Sequence, residues 1–216
     1  MSTRLFRILG PALLFALSTS AICRAQANDP TAHDYVEAIW HVQQLQFQFR
    51  SQSTSYACDA LENKIANILR AVGARDDVAV DSGCHSRQFI SGALVNVTLA
   101  TPLVASEENV RRAVAYDSRD ELVARLQRVQ LPSATDLERF PASWERVSLT
   151  RNRLVRLDSG DCDLLSAMSQ QLFPKLSIRM DESELRCSAT STRIRPRFSV
   201  AALLRSVAQP VAYAGR

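Results

Sequence analysis

The sequence contains the same spacing of tryptophan and cysteine twice. Trp40 lies 18 residues before Cys58, and Trp144 lies 18 residues before Cys162. Cys58 opens the sequence Cys-Asp-Ala-Leu, Cys162 opens Cys-Asp-Leu-Leu, and apolar residues at helical spacing follow in both places. Because internal self-similarity is the sign of a repeated structural unit, the chain is expected to contain two copies of one module.

Each copy closes on a second cysteine at nearly the same distance. Cys84 follows Cys58 by 26 residues, and Cys187 follows Cys162 by 25. Four cysteines allow three pairings, and the duplication selects Cys58–Cys84 and Cys162–Cys187. In a strand–helix–strand crossover, the helix start and the end of the second strand lie at the same end of the sheet, which agrees with this choice. Each bridge is expected to stabilise the fold by about 3.5 kcal/mol through chain entropy.

Residues 1–27 are predicted to be an export signal. Arg4 and Arg7 precede a short apolar stretch, and Ala25-Gln26-Ala27 matches a small-x-small cleavage site. A lipid anchor on Cys23 is the weaker alternative, because the residue before it is bulkier than that motif uses. The apolar stretch is too short for a transmembrane segment, so the protein is expected in the periplasm or outside the cell.

The charge of the chain depends on this signal. The whole chain carries a net charge of +4, and removing residues 1–27 takes away three arginines and no acid, which leaves +1. A charge this small does not support general attraction to nucleic acid. Of the five cysteines, Cys23 is removed with the predicted signal, and the even number of four that remains favours disulfides over metal ligation or thiol chemistry in an exported protein.

The first copy is interpreted as strand–helix–strand–strand. Apolar and polar residues alternate over residues 42–50, which predicts a half-buried strand. A helix is predicted from Cys58 to Gly73, where the glycine is a plausible stop. Strands are predicted at Val78–Val80 and around Val95–Leu99, and the second copy follows the same order with a last strand marked by residues 194, 198 and 200.

The predicted fold class is therefore α+β, with two β-α-β-β units, each with one disulfide, joined by a helical connector. One pseudo-symmetric unit is preferred over two separate lobes, because each half alone would have a thin core. The boundaries are a signal peptide at 1–27, a first repeat at 28–102, a connector at 103–143, a second repeat at 144–205 and a disordered tail at 206–216.

The region from Cys58 to Cys84 resembles a heavy-metal-associated domain of the ferredoxin-like fold. Cys58, Lys64 and Ile65 match the pattern of those domains, but Leu61 stands where their second metal-binding cysteine lies. The resemblance implies a ferredoxin-like topology, and the missing thiolate argues against soft-metal binding.

The chain also resembles uncharacterised exported proteins of gammaproteobacteria with a Tyr-x-Cys-Asp-x-Leu phrase, here Tyr56 to Leu61. This second resemblance implies no function.

Arginines provide the main functional lead. Arg193, Arg195 and Arg197 alternate on the predicted last strand, and Arg151 and Arg153 alternate on the strand predicted to open the second copy. If these strands are neighbours, five guanidinium groups would share a sheet face suited to phosphate or carboxylate groups of an anionic envelope component or protein. The alternative is a solvated face, or an edge strand guarded by charge, which Pro196 would fit.

The sequence therefore predicts an exported, disulfide-stabilised binding or scaffold protein with no cofactor, no metal ligands and no catalytic residues assigned. The three histidines do not have metal-ligand spacing, and common catalytic motifs are missing from the sequence. Two alternatives stay open. One is a periplasmic redox or metal-handling protein that uses the helix-start cysteines Cys58 and Cys162. The other is an enzyme whose site is assembled from dispersed residues.

Overall fold

The computed structural model describes residues 35–85, 88–180, 185–187 and 195–206. The predictions for the export signal, for Arg193 and for the tail after Ser206 lie outside these residues. Within them the chain is α+β, with a main antiparallel sheet and two disulfides.

The first half of the described chain contains most of the long strands. Its elements are β1 (Val36–Arg50), β2 (Tyr56–Ala57), α1 (Cys58–Ala71), β3 (Ala79–Asp81), β4 (Phe89–Ile90) and β5 (Gly92–Val104). The connector holds α2 (Glu107–Ala113) and α3 (Ser118–Gln127). The second half comprises β6 (Arg139–Ser148), α4 (Cys162–Gln171), β7 (Ile178–Arg179) and β8 (Ser199–Arg205), with 3-10 turns at Leu149–Arg151, Ser159–Asp161 and Phe173–Lys175.

The main sheet has the strand order β3-β5-β1-β6-β8-β7. β5 pairs antiparallel with both β1 and β3, and β8 pairs antiparallel with both β6 and β7. β3 therefore runs parallel to β1, and β7 runs parallel to β6. The two halves of the sheet meet where Val36–Ile39 of β1 pairs with Arg139–Ala142 of β6.

Local sequence explains the first strand and the first helix. Phe47 and Phe49 are buried while the neighbouring Gln46 and Gln48 are exposed, so the predicted strand is confirmed and extends back to Val36. In α1, Leu61 and Ile65 are fully buried one helical turn apart. The helix ends before Gly73, whose φ of +99° is a conformation that glycine adopts without strain.

Gly73 also allows the turn after α1 to pack closely against β8 of the second half. A Cβ atom built on Gly73 would lie 2.8 Å from the backbone oxygen of Leu203 in β8. The turn after α1 thus packs directly on a strand of the second half, and a side chain at this position would push the two apart.

One hydrophobic core spans both halves. Its fully buried members include Phe47, Phe49, Leu61, Ile65 and Ile68 from the first half and Leu149, Leu164, Leu165, Met168 and Phe173 from the second. Because α1 and α4 contribute to the same cluster, neither half encloses a complete core by itself.

Candidate functional site

Arg151 and Arg153 lie outside the sheet. Arg151 closes the 3-10 turn Leu149–Arg151, and Arg153 follows in a loop, so the prediction that they alternate on a strand is wrong. The side chain of Asn152 accepts a hydrogen bond from the backbone N–H of Leu154 at 2.8 Å. Such a local bond gives the backbone an alternative to the strand ladder, which favours a turn here.

Arg195 and Arg197 precede the last strand instead of lying on it. β8 begins at Ser199, and Arg197 pairs only with Arg186 in an isolated bridge, with backbone N–O distances of 2.9 and 3.1 Å. Pro196 between them has no N–H to give to a ladder, which explains why regular pairing starts later than predicted.

These segments nevertheless lie side by side. The hydroxyl of Thr150 donates to the backbone oxygen of Pro196 at 3.1 Å and accepts from the N–H of Phe198 at 3.2 Å. The N–H of Leu149 donates to the backbone oxygen of Phe198 at 2.9 Å. The turn that carries Arg151 therefore sits directly against the segment that carries Arg197.

We use the name arginine surface for Arg151, Arg153, Arg186, Arg195 and Arg197. All five side chains are exposed, and in the part of the chain that the structure describes none has an acidic partner. Unneutralised cations on one region of the surface raise the local positive potential. The sequence reasoning missed Arg186, whose only signal was its place immediately before Cys187.

The two predicted disulfides are confirmed. Cys58 bonds to Cys84 and Cys162 to Cys187, with Cα–Cα distances of 6.0 and 5.7 Å. Both helix-start sulfurs are thereby held in bridges instead of being free thiols. Cys58 is only 1% exposed, whereas Cys187 is exposed, so the second bridge is open to solvent at one end.

A buried carboxylate connects the starts of α1 and α4. Asp161 is 1% exposed, and both of its oxygens lie 2.8 Å from Nζ of Lys64. It also accepts the hydroxyl of Tyr56 at 2.5 Å and the N–H of Asp158 at 2.6 Å. Burial, followed by the hydrogen bond to Asp161, raises the pKa of Tyr56 well above its usual range.

This network ties the halves together. Tyr56 and Lys64 belong to the first half and Asp161 to the second, so the ion pair holds α1 against the turn before α4. No local sequence pattern indicated this network, because its partners are far apart in the chain. Lys64 and Asp161 are separated by 97 residues, and Tyr56 and Asp161 by 105.

A cavity of about 860 Å³ lies beside β1. One wall consists of five consecutive residues, Trp40 to Gln44, and the opposite wall is formed by α2, α3 and the loop that leads to β6. Burial, and then the positive charge of Arg112, lowers the pKa of His41 on this wall. We call this cavity the edge groove.

Among the described residues, no group of three or more His, Cys, Asp or Glu side chains is placed to hold a metal ion. In the same residues, no helix has the length and apolar character needed to cross a membrane.

Comparisons with protein-family models, with curated proteins and with solved structures find no match for this chain.

Proposed function

We propose that the protein is an exported, disulfide-stabilised binding protein that recognises an anionic partner through the arginine surface. The observation that carries the proposal is the set of five exposed arginines, gathered from three segments, that have no acidic partner among the described residues. Some exposed arginines elsewhere, such as Arg75, Arg112 and Arg139, are paired with carboxylates, so the five of the arginine surface are distinguished by being unpaired among the described residues and also close to one another.

The chemistry of the guanidinium group defines the ligand class. Its planar N–H donors match phosphate and carboxylate oxygens in a two-point geometry, and its charge is permanent. The bridge between Arg186 and Arg197 and the hydrogen bonds of Thr150 hold the backbones of these arginines. A fixed backbone reduces the ordering cost of binding.

The fold supports a scaffold that presents this surface. We infer that each half is a copy of one β-α-β-β unit of ferredoxin-like topology. The strand orders β1-β5-β3 and β6-β8-β7 correspond, and each helix begins at a bridged cysteine. Two disulfides are typical of proteins outside the reducing cytoplasm, which supports export through the predicted signal at 1–27.

The test is retention on an anionic matrix. The purified protein is loaded on phosphocellulose at low salt and compared with a variant in which Arg151, Arg153, Arg195 and Arg197 are changed to Gln. We expect the variant to bind at least about tenfold more weakly, because the surface loses four direct phosphate contacts. Added salt should reduce the difference in retention between the wild type and the variant, because it screens the arginine charges.

A control variant of equal charge removes the effect of net charge. It carries Arg50→Gln, Arg111→Gln, Arg119→Gln and Arg128→Gln, four exposed arginines that also lack an ion pair among the described residues. The proposal requires this control to elute close to the wild type. Equal weakening of both variants would mean that only the overall charge matters, and the proposal would then be wrong.

A further inference from the structure

The backbone N–H and C=O groups of successive β1 residues point alternately toward the edge paired with β5 and toward the opposite edge. The oxygen of Glu37 accepts from the N–H of Ala105 at 2.8 Å, and the N–H of Ser51 donates to the oxygen of Ser91 at 2.7 Å. Odd-numbered residues of β1 therefore direct their N–H and C=O groups toward the β5 side. In an antiparallel pair the even-numbered residues must direct theirs to the opposite edge.

Both ends of that opposite edge are already occupied. At one end β6 pairs with Val36–Ile39. At the other end, the side-chain amide of Gln171 bonds both backbone groups of Gln48, donating to its oxygen and accepting from its N–H, each at 2.9 Å. Between them, no strand among the described residues pairs with this edge at Trp40, Val42, Gln44 and Gln46.

The edge groove lies along this open stretch. Successive side chains of a strand point to opposite faces of the sheet. The cavity is lined by five consecutive residues, Trp40 to Gln44, which is what a cavity that lies along the edge of the strand would contact. The free backbone donors and acceptors consequently face the cavity.

The groove also exposes apolar side chains. Val42 is 61% exposed, Val123 is 42% exposed and Val129 is 60% exposed, and all three line it. The indole N–H of Trp40, which is buried, has no acceptor in the described part of the chain. Apolar contacts and unused backbone hydrogen bonds together are the features that recognise an added β-strand.

We propose that the edge groove binds an extended peptide segment of a partner protein, with β-branched side chains at alternate positions, as an added strand along Trp40–Gln46. Seven residues of strand span about 23 Å. The pairing between β1 and β6 would continue along the same edge.

The walls of the groove favour a single segment over a second copy of this chain. The far side is closed by α3 and by residues 129–132 and 137. A strand that belonged to another sheet would bring its own neighbouring strand into that wall. A lone peptide has no such neighbour.

The probe is a capped peptide of alternating valine and threonine between two lysines. It is added to the full-length protein in high salt, where the arginine surface is screened. Amide hydrogen exchange is followed by NMR. We expect exchange at Trp40, Val42, Gln44 and Gln46 to slow by about tenfold or more, because each outward amide gains a partner. Exchange at His41, Gln43 and Leu45 should stay unchanged, because those amides already face β5.

Two variants test the pairing itself. Gln44→Pro removes an outward N–H that β5 does not use, and proline is accepted on strand edges. We expect it to weaken peptide binding about tenfold or more. Val42→Lys, at an exposed position, places a charge beside the added strand and should weaken binding without touching the backbone. Circular dichroism checks that both variants are folded.

Several outcomes would overturn the proposal. One is unchanged exchange at the four outward amides with saturating peptide. Another is equal binding of a peptide whose backbone nitrogens are all methylated, since that peptide cannot form the ladder. Protection that appears without peptide and grows with protein concentration would assign the edge to a second copy. The variant that lacks four arginines of the arginine surface should bind the peptide normally, so this test is independent of the proposed function.

Discussion

The two disulfides close loops of almost equal length but stand in different surroundings. Cys58 is buried at the start of α1, in the half of the molecule that contains the longest strand pair, β1 with β5, of thirteen residue pairs. Cys187 is exposed, and it follows Arg186 of the arginine surface. Sequence separation is 26 residues for the first bridge and 25 for the second, so chain entropy alone does not distinguish them.

This difference indicates a division of labour between similar halves. The first half supplies the two longest strands, β1 and β5, and its helix-start cysteine is buried. The bridge of the second half anchors the segment at Arg186, which pairs with Arg197 and has no acidic partner among the described residues. Under the proposed function, the first bridge would stabilise the core, and the second would hold part of the arginine surface in place.

Removing each disulfide in turn should give the largest change in stability and should distinguish the two bridges. We expect Cys58→Ala with Cys84→Ala to lower the free energy of unfolding by about 4–5 kcal/mol, through chain entropy plus a cavity at the buried sulfur. Cys162→Ala with Cys187→Ala should cost about 3.5 kcal/mol, because the exposed sulfur leaves no cavity. Urea unfolding measures both.

Native reduction provides the control for this prediction. Under a mild reductant without denaturant, peptide mapping by mass spectrometry should find Cys162–Cys187 reduced first, since one of its sulfurs is open to solvent. Equal costs together with simultaneous reduction would contradict the distinction between the bridges.

Replacing acids near the helix starts should destabilise the protein less than removing a disulfide. Asp161→Asn is expected to destabilise the protein by about 2–3 kcal/mol, because Lys64 keeps its charge in a mostly buried site. Asp163→Asn should cost about 1 kcal/mol, since this carboxylate accepts hydrogen bonds from the Ser51 hydroxyl at 2.7 Å and the Gln52 N–H at 3.2 Å.

The matched control is Asp59→Asn in the first half. Asp59 stands at the position of Asp163, directly after the helix-start cysteine, but it is exposed and makes no hydrogen bond among the described residues. Its replacement should leave the thermal midpoint almost unchanged. A cost for Asp59→Asn as large as that for Asp163→Asn would show that the helix dipole dominates both sites.

The pH dependence of His41 should be the smallest effect. Its pKa in the folded protein lies below the ordinary value of 6.5, so folding favours the neutral ring. The stabilisation is complete above about pH 6.5 and is lost as pH falls below that value. We expect a small change in stability, because solvent screens the charge of this half-buried group.

Thermal unfolding from pH 7.5 to 5 compares the wild type with His41→Gln. Carboxylates titrate in both proteins, so the difference between them reports His41. If His41→Gln is destabilised to the same extent at every pH in this range, the lowered pKa of His41 does not contribute to stability.

Much of the first half was predictable from sequence because its signals are local. Alternation around Phe47 and Phe49, helical spacing from Leu61 to Ile65 and the stop at Gly73 each report on a single element. The disulfide pairs were predictable because the cysteines recur at nearly equal spacing, which is a long-range signal in the sequence.

Predictions for the second half were less accurate because hydrogen bonds from side chains to distant segments determine its backbone conformation. The turn after Ser148 depends on Thr150 bonding a segment 46 and 48 residues away, and alternating arginines gave a strand pattern that Pro196 interrupts. The buried Asp161 and the open edge of β1 are products of tertiary packing. No local pattern marks an acid that finds a lysine 97 residues away.

The most direct test of the account follows the arginine side chains during titration with a short polyphosphate. NMR resonances of the guanidinium Nε–H groups are observed in the full-length protein. We predict that Arg151, Arg153, Arg186, Arg195 and Arg197 shift together along one binding curve, while Arg50, Arg111 and Arg119 stay in place. Uniform small shifts across all arginines, or shifts confined to the connector helices, would contradict the assignment of the second half as the binding surface.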